Sequence, residues 1–167
     1  MAQFKNFSGF VTKITDLRQG QNEETSGCYK MITLENKEGS IVNFVAAPNT
    51  YFVNHEAIFT GDEVTGFYDA NKPVILIYPP QYEAIVMSKI SPTQNIKVDY
   101  FNSQLISSDE NLKLNLSSST EILLTNDQPF RRNPANKNLI VVYGPSTKSI
   151  PAQTTPYKII VLCRGAE

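Results

Sequence analysis

The chain has 167 residues, enough for one large domain or two small ones. Its 15 Lys and Arg residues nearly balance 16 Asp and Glu residues. Proteins that bind nucleic-acid backbones strongly carry a basic excess or a basic stripe. The densest basic spot here is only two residues long, Arg131-Arg132. The balance therefore argues against strong nucleic-acid binding.

The first half is predicted to be a series of short strands separated by turns. The strands are rich in β-branched residues or alternate between apolar and polar positions. The polar segment 35–39 ends in glycine and predicts a hairpin turn. Gly66 lies inside a strand, where glycine often marks a bulge or a sharp bend. The run 74–78 is apolar and of strand length, and Pro79-Pro80 ends it. The predicted strands are residues 10–15, 28–34, 40–46, 63–68 and 82–87.

The second half repeats this pattern. Tyr143 follows Tyr68 at the same spacing along the chain at which Tyr157 follows Tyr82. With that spacing, the run 64–68 aligns with 139–143 and the run 82–87 aligns with 157–162. An internal repeat indicates that a fold is built from copies of one structural unit. The shared spacing predicts an internal duplication with equivalent final strands in the two halves.

These patterns predict an all-β protein. No segment keeps a 3.6-residue apolar period over three turns, so no long helix is expected. The strand count and order favour two tandem, related small β-barrels of the OB-like type, with a β-sandwich as the alternative. The first barrel would span residues 1–90 and the second residues 91–167. The segment 88–93 is short and contains a proline, and it is the expected joint.

Residues for several kinds of chemistry are absent from the sequence. His55 is the only histidine and is expected on a surface loop. No nucleophile elbow, phosphate-binding loop or dinucleotide fingerprint is present. Cys28 and Cys163 lack metal-ligand spacing and are expected to be small buried residues, with their pairing left open. The sequence therefore predicts no catalytic residue, no metal site and no cofactor.

The N-terminal residues do not form the basic and apolar pattern of a signal peptide. No run approaches the length of apolar residues that a membrane span requires. From these two features we expect a soluble, cytoplasmic protein without a membrane span.

Two phrases of the sequence carry a resemblance to a known module. GDEVTGFYDANKPVILIYPPQY, residues 61–82, and STKSIPAQTTP, residues 146–156, resemble an uncharacterised β-module of Gram-positive bacterial proteins. That module often lies beside copper-amine-oxidase N-terminal-like domains. It has no assigned activity, so the resemblance implies relatives and no function. It implies no copper chemistry either, because one histidine cannot supply three ligands. Related modules are often secreted, which leaves the compartment open.

Aromatic residues near predicted loops are the candidate contacts for a ligand. Tyrosines at strand ends can stack on bases, sugars or prolines. The alternative is that they cap two small cores. A pair of arginines could add a contact to an anion. The candidate binding residues are Tyr68, Tyr78, Tyr82, Tyr143, Tyr157, Arg131 and Arg132.

The leading hypothesis for function is a non-catalytic binding or interaction module whose partner is a protein, a peptide or a carbohydrate. A second hypothesis is a structural protein that assembles through exposed strand edges, for example as a homodimer. A third is an enzyme with an unrecognised site around His55.

Overall fold

A computed structural model describes residues 2–17 and 22–163 of the chain, and it confirms the predicted all-β class. Among the described residues, the only helical element is a short 3₁₀ turn, Val53–His55. The strands are β1 Phe4–Leu17, β2 Tyr29–Glu35, β3 Ile41–Ala46, β4 Tyr51–Phe52, β5 Glu63–Asp69, β6 Gln81–Glu83, β7 Val86–Lys89, β8 Asn95–Phe101, β9 Leu112–Leu114, β10 Glu121–Leu124, β11 Lys137–Tyr143, β12 Ala152–Thr154 and β13 Lys158–Leu162.

The chain divides into two compact units, Met1–Ile90 and Ser91–Glu167. Each unit has its own hydrophobic core, and burial of one large apolar side chain stabilises a fold by about 1.5–3 kcal/mol. The first core includes Val11, Leu34, Phe44, Val64 and Met87. The second includes Phe101, Leu112, Leu139, Val141 and Ile159.

The first unit is a seven-stranded sheet in the order β4-β7-β5-β1-β2-β3-β6. Strand β1 is long enough to pair with β5 through its first half and with β2 through its second half. Strand β6 runs parallel to β3, and β7 runs antiparallel to β5. Only residues 84–85 separate β6 from β7. One short stretch of chain therefore pairs with both β3 and β5.

Gly66 does not form the predicted bulge. It pairs in register with Phe7 of β1 and with Met87 of β7. The irregularity lies in β1, where the register with β2 shifts between Val11 and Lys13. A Cβ atom on Gly66 would lie 2.5 Å from the Phe44 ring. The glycine is therefore required to make room for the ring, and not to bend the strand.

The second unit contains a four-stranded sheet, β10-β13-β11-β8, and a two-stranded parallel sheet, β12-β9. Isolated bridges join Phe101 to Ser107 and Ile106 to Lys113. The segment between β8 and β9 therefore connects the two sheets, as β2 connects β1 to β3 in the first unit. Strands β12 and β13 also follow each other closely along the chain. The two units share one scheme of strand pairing.

The register shows that Tyr82 and Tyr157 are not equivalent. In the first unit Gly66 pairs with Met87, and in the second Val141 pairs with Ile159. When β5 is aligned with β11 as predicted, Met87 therefore matches Ile159, and Tyr157 matches Ile85. Backbone hydrogen bonds agree, because the N–H of residue 85 donates to the carbonyl of residue 67 and the N–H of residue 157 to that of residue 142. The predicted match of Tyr82 with Tyr157 is wrong.

The loop before the final strands accounts for this difference. The segment from Tyr68 to Pro79 is longer than the corresponding segment from Tyr143 to Pro151. The equal spacing of the tyrosines predicts loops of equal length, and that expectation is therefore also wrong.

A threonine in each unit makes the same contact across the corrected register. Thr50 Oγ1 donates to the carbonyl of Ala84 at 2.8 Å, and Thr120 Oγ1 donates to the carbonyl of Pro156 at 2.9 Å. Each threonine thereby fixes the start of the short strand that pairs parallel with β7 or β13.

Candidate functional site

The segment between β5 and β6, residues 70–80, is named here the apolar loop. Hydrogen bonds hold its first turn, because Asp69 Oδ1 accepts from the backbone N–H of Asn71 at 2.9 Å and of Gln3 at 3.0 Å. Lys72 Nζ lies 3.5 Å from Glu83 Oε2, which connects the two ends of the loop. The base of the loop is therefore held by contacts to β5, to β6 and to Gln3, the residue that precedes β1.

The middle of the apolar loop is exposed. Its five consecutive side chains expose between 47% and 97% of their surface, with Leu76 at the upper limit. The N–H of Ile77 donates to the carbonyl of Ile75 at 3.0 Å, which makes a tight turn beside the tip. Contiguous exposed apolar side chains of this kind mark interaction sites in folded proteins. The five residues are Val74, Ile75, Leu76, Ile77 and Tyr78.

Of these five residues, only Tyr78 is a candidate contact by its sequence pattern. The run 74–78 has the composition of a buried strand, but it is flanked by Pro73 and by Pro79-Pro80. Prolines cannot donate to a ladder of hydrogen bonds, and they confine a segment to strand ends, sheet edges and loops. The flanking prolines were thus the signal that could have identified the loop.

The equivalent loop of the second unit, residues 144–151, has a different character. Ile150 is 94% exposed, but the residues before it are polar and bond to one another. Thr147 Oγ1 and Ser149 Oγ lie 2.7 Å apart, and Ser149 Oγ donates to the carbonyl of Pro151 at 2.8 Å. Both loops end in a cis proline, Pro79 or Pro151. The two loops share a place in the fold and differ in chemistry.

Tyr68 and Tyr82 are brought together at the edge of the first core. Their rings stack at 3.8 Å between centroids, and Phe44 lies tilted against both, at 6.1 Å and 6.2 Å. Burial raises the pKa of Tyr68 to about 12, and a hydrogen bond and charge repulsion from Tyr82 contribute further. One face of each ring is thus covered by the other ring, while Tyr78 lies apart on the loop.

We expect Tyr68 to titrate late and to make the first unit sensitive to high pH. The unfolded Tyr68 has a pKa near the ordinary value of 10.0 and the folded one a pKa of about 12. The resulting stability is complete below pH 10 and is lost as the pH rises towards 12. Absorbance titration of the phenolates should show a late tyrosine that is absent from Tyr68→Phe. Equal titration of both proteins would contradict this expectation.

The remaining candidate residues lie in the second unit. Tyr143 is half-buried against the second core, and burial raises the pKa of its hydroxyl although the charge of Lys97 opposes the shift. Tyr157 lies over Gly144, since a Cβ atom there would be 2.1 Å from the Tyr157 Oη. Tyr143 therefore supports the core, and Tyr157 covers a turn with half of its surface exposed.

Arg131 and Arg132 are exposed between β10 and β11 and form no ion pair with any residue that the structure describes. Directly after them, Asn133 and Pro134 form one side of an open groove. Its apolar lining is formed by Leu105, Leu114, Leu116 and Pro134, and its polar lining by Ser103, Gln104, Asn115 and Asn133.

The structure places His55 beside the ring of Tyr51. His55 ends the 3₁₀ turn with a φ of 53°, is exposed, and contacts the edge of the Tyr51 ring at 5.5 Å. The carboxylates of Glu56 and Asp62 lie 3.9 Å and 3.5 Å from Lys89 Nζ. Glu56 and Asp62, the acids nearest to His55 along the sequence, are therefore both paired with a lysine.

The prediction that both cysteines are buried is wrong, because Cys28 and Cys163 are exposed. They are not joined by a disulfide bond. Cys28 follows a turn, and its Sγ points to the carbonyl of Glu24 at 3.6 Å. Cys163 follows the last residue of β13. Both therefore lie just outside the strands whose apolar positions fill the cores.

Across residues 2–17 and 22–163, no three His, Cys, Asp or Glu side chains are grouped closely enough to hold a metal ion. Among the same residues, no helix has the length and hydropathy that a membrane span requires. No family model, no curated protein and no solved structure matches this chain.

Proposed function

We propose that this chain is a non-catalytic binding module and that the apolar loop is its principal contact surface. The observation that carries the proposal is the exposure of five consecutive apolar side chains on a loop whose base is fixed. Exposed apolar surface of this extent is unfavourable in water unless a partner covers it. The balanced charge of the chain argues for an uncharged partner surface and against nucleic acid.

We also propose that each unit is an OB-like barrel and that the two are copies of one ancestral unit. The support is the pairing scheme, in which a three-strand meander is followed by two strands that return to its two ends. OB folds bind ligands with loops that include the one between their fourth and fifth strands. The apolar loop has that position in the first unit. The likeness of residues 61–82 and 146–156 to a bacterial β-module is part of the same proposal.

Two other functions receive less support. An enzyme centred on His55 would draw its acid or base from Glu56 or Asp62, and both of these carboxylates face Lys89. Assembly through strand edges would use the edge strands of the sheets, and those of the first unit, β4 and β6, have only two and three residues. A binding role needs neither feature.

The test is a binding panel with a loop variant. Immobilised apolar peptides, proline-rich peptides, neutral oligosaccharides and lipid vesicles are titrated with the wild-type protein, with Ile75→Ser/Leu76→Ser, and with Ile150→Ser as the matched control. Burial of one such side chain contributes about 1.5–3 kcal/mol, so the double variant should bind at least about tenfold more weakly. Ile150→Ser should bind like the wild type.

Binding to none of these classes would overturn the proposal. Binding that is equal for the wild type and the double variant would overturn the role of the loop. Circular dichroism of each variant is the check on folding, and all three substituted residues are exposed.

A further inference from the structure

The chemistry of the apolar loop identifies the class of its partner. We propose that the loop inserts its tip into the surface of a lipid bilayer and attaches the first unit there without spanning the membrane. This inference rests on the proposed function, since it takes the loop as the contact surface and adds what the loop contacts.

The shape of the loop favours a bilayer over a protein partner. Leu76 is 97% exposed and Ile75 is 75% exposed, so the tip has almost no contact with the rest of the protein. A protein partner would have to enclose such a projection in a deep apolar pocket. The boundary between head groups and acyl chains surrounds an inserted side chain from every direction without a preformed pocket.

The apolar surface of the loop is too small for a stable protein interface. The loop offers five apolar residues, whereas a specific protein interface uses roughly 20–30 residues on each side. The residues at its base are charged, namely Asp69, Lys72 and Glu83. The surface therefore does not widen into an apolar face of the size that a stable protein complex needs. In a bilayer, each inserted side chain contributes by itself, at about 0.8 kcal/mol per CH₂ group.

The order of side chains from the tip to the base matches the change in polarity across a membrane interface. Four aliphatic residues come first, with Ile75 and Leu76 at the tip, and Tyr78 follows them with 77% of its surface exposed. Lys72 lies at the base, with half of its side chain exposed. Tyrosine is enriched at the membrane–water interface, and lysine can keep its ammonium group in water while its stem lies in the interface. No residue from 73 to 80 carries a charge, so insertion of the tip does not desolvate an ion.

The experiment uses the absence of tryptophan from the natural sequence. Leu76→Trp places a single tryptophan at the tip, and Ile150→Trp places one at an equally exposed position of the equivalent loop in the second unit. Each protein is titrated with phosphatidylcholine vesicles while tryptophan emission is recorded. We expect a blue shift and quenching by lipid-borne bromine for Leu76→Trp, and neither change for Ile150→Trp.

Two further measurements test the mechanism of attachment. Because the inserted residues are uncharged, the shift should persist when salt is raised from about 0.1 M to about 1 M, where the Debye length falls to about 3 Å. Adding Ile75→Asp to Leu76→Trp should weaken vesicle binding at least about tenfold, since a carboxylate at the tip must then leave water.

An unchanged emission of Leu76→Trp with excess vesicles would overturn the inference, and so would an equal shift of Ile150→Trp. A blue shift that grows with protein concentration without lipid would overturn it in favour of a second copy as the partner. If vesicles fail but the loop double variant loses binding to a peptide or an oligosaccharide, the proposed function stands and only the lipid is wrong.

Discussion

Replacing Gly9 with alanine is expected to lower the free energy of unfolding of the first unit by about 3 kcal/mol, because the added methyl group overpacks a close contact. Its Cβ atom would lie 2.8 Å from the carbonyl carbon and oxygen of Glu35 and 3.1 Å from the backbone nitrogen of Asn36. These are backbone atoms at the end of β2, so no side-chain rotation can relieve the contact. Strand β1 passes from β5 to β2 at this point, and the two strands would have to separate.

The measurement is urea unfolding followed by circular dichroism, with Gly39→Ala as the control. Gly39 has a φ of +83° and open space around it. Alanine there meets backbone strain without a clash, at a cost of about 1 kcal/mol. If Gly9→Ala cost no more than Gly39→Ala, the close approach of β1 to Glu35 would be absent in solution.

Replacing Phe44 with alanine is expected to cost about 3–5 kcal/mol of stability, the range measured for buried phenylalanines. Phe44 is fully buried in the first core and lies against both stacked tyrosines. Its removal leaves a cavity and takes away the support of Tyr68 and Tyr82. Circular dichroism and tyrosine emission should both report the lower unfolding midpoint.

The contact between Phe44 and Gly66 gives this prediction a sharper form. Gly66→Ala alone should cost about 1–3 kcal/mol by overpacking, since its Cβ would lie 2.5–2.8 Å from three atoms of the ring. In a Phe44→Ala background the same change should cost much less, because the space is then empty. The two effects must therefore be non-additive.

Phe101→Ala is the matched control for this cycle. Phe101 is also a fully buried phenylalanine, but it lies in the core of the second unit. Its effect should be independent of that of Gly66→Ala. Additivity of Phe44→Ala with Gly66→Ala would contradict the observed packing.

The strands could largely be predicted from the sequence, because the two faces of a half-buried strand impose a period of two on its residues. Residues 63–66 of β5 alternate in this way, whereas the apolar run 139–142 of β11 is buried on both faces and is recognised by its composition and length. Short strands with one neighbour could not be predicted in the same way. β9 and β12 have three residues each, and their pairing depends on contacts distant along the chain.

The register of the final strands could not be found by matching tyrosines. Tyr82 packs against Phe44 inside the first unit, while Tyr157 covers Gly144. A side chain of the same type thus has different contacts at two positions that only look equivalent. The register of a strand is defined by its backbone hydrogen bonds. The same residue type at two positions does not determine those bonds.

The exposure of the apolar loop could not be predicted from its composition. Val74 to Ile77 has the side chains of a buried strand, and only tertiary structure shows that no second layer covers it. The exposure of an apolar run depends on what else packs nearby, so local pattern and propensity cannot determine it.

The two units hold loops of different chemistry on the same frame, with the ends fixed by strand pairing and by a threonine contact to the final strand. Residues at the tip make no contribution to either core, as Leu76 and Ile150 show by their exposure. Mutations there are therefore released from the selection that preserves folding. A chain built in this way can change the surface chemistry of one loop without lowering the stability of either core.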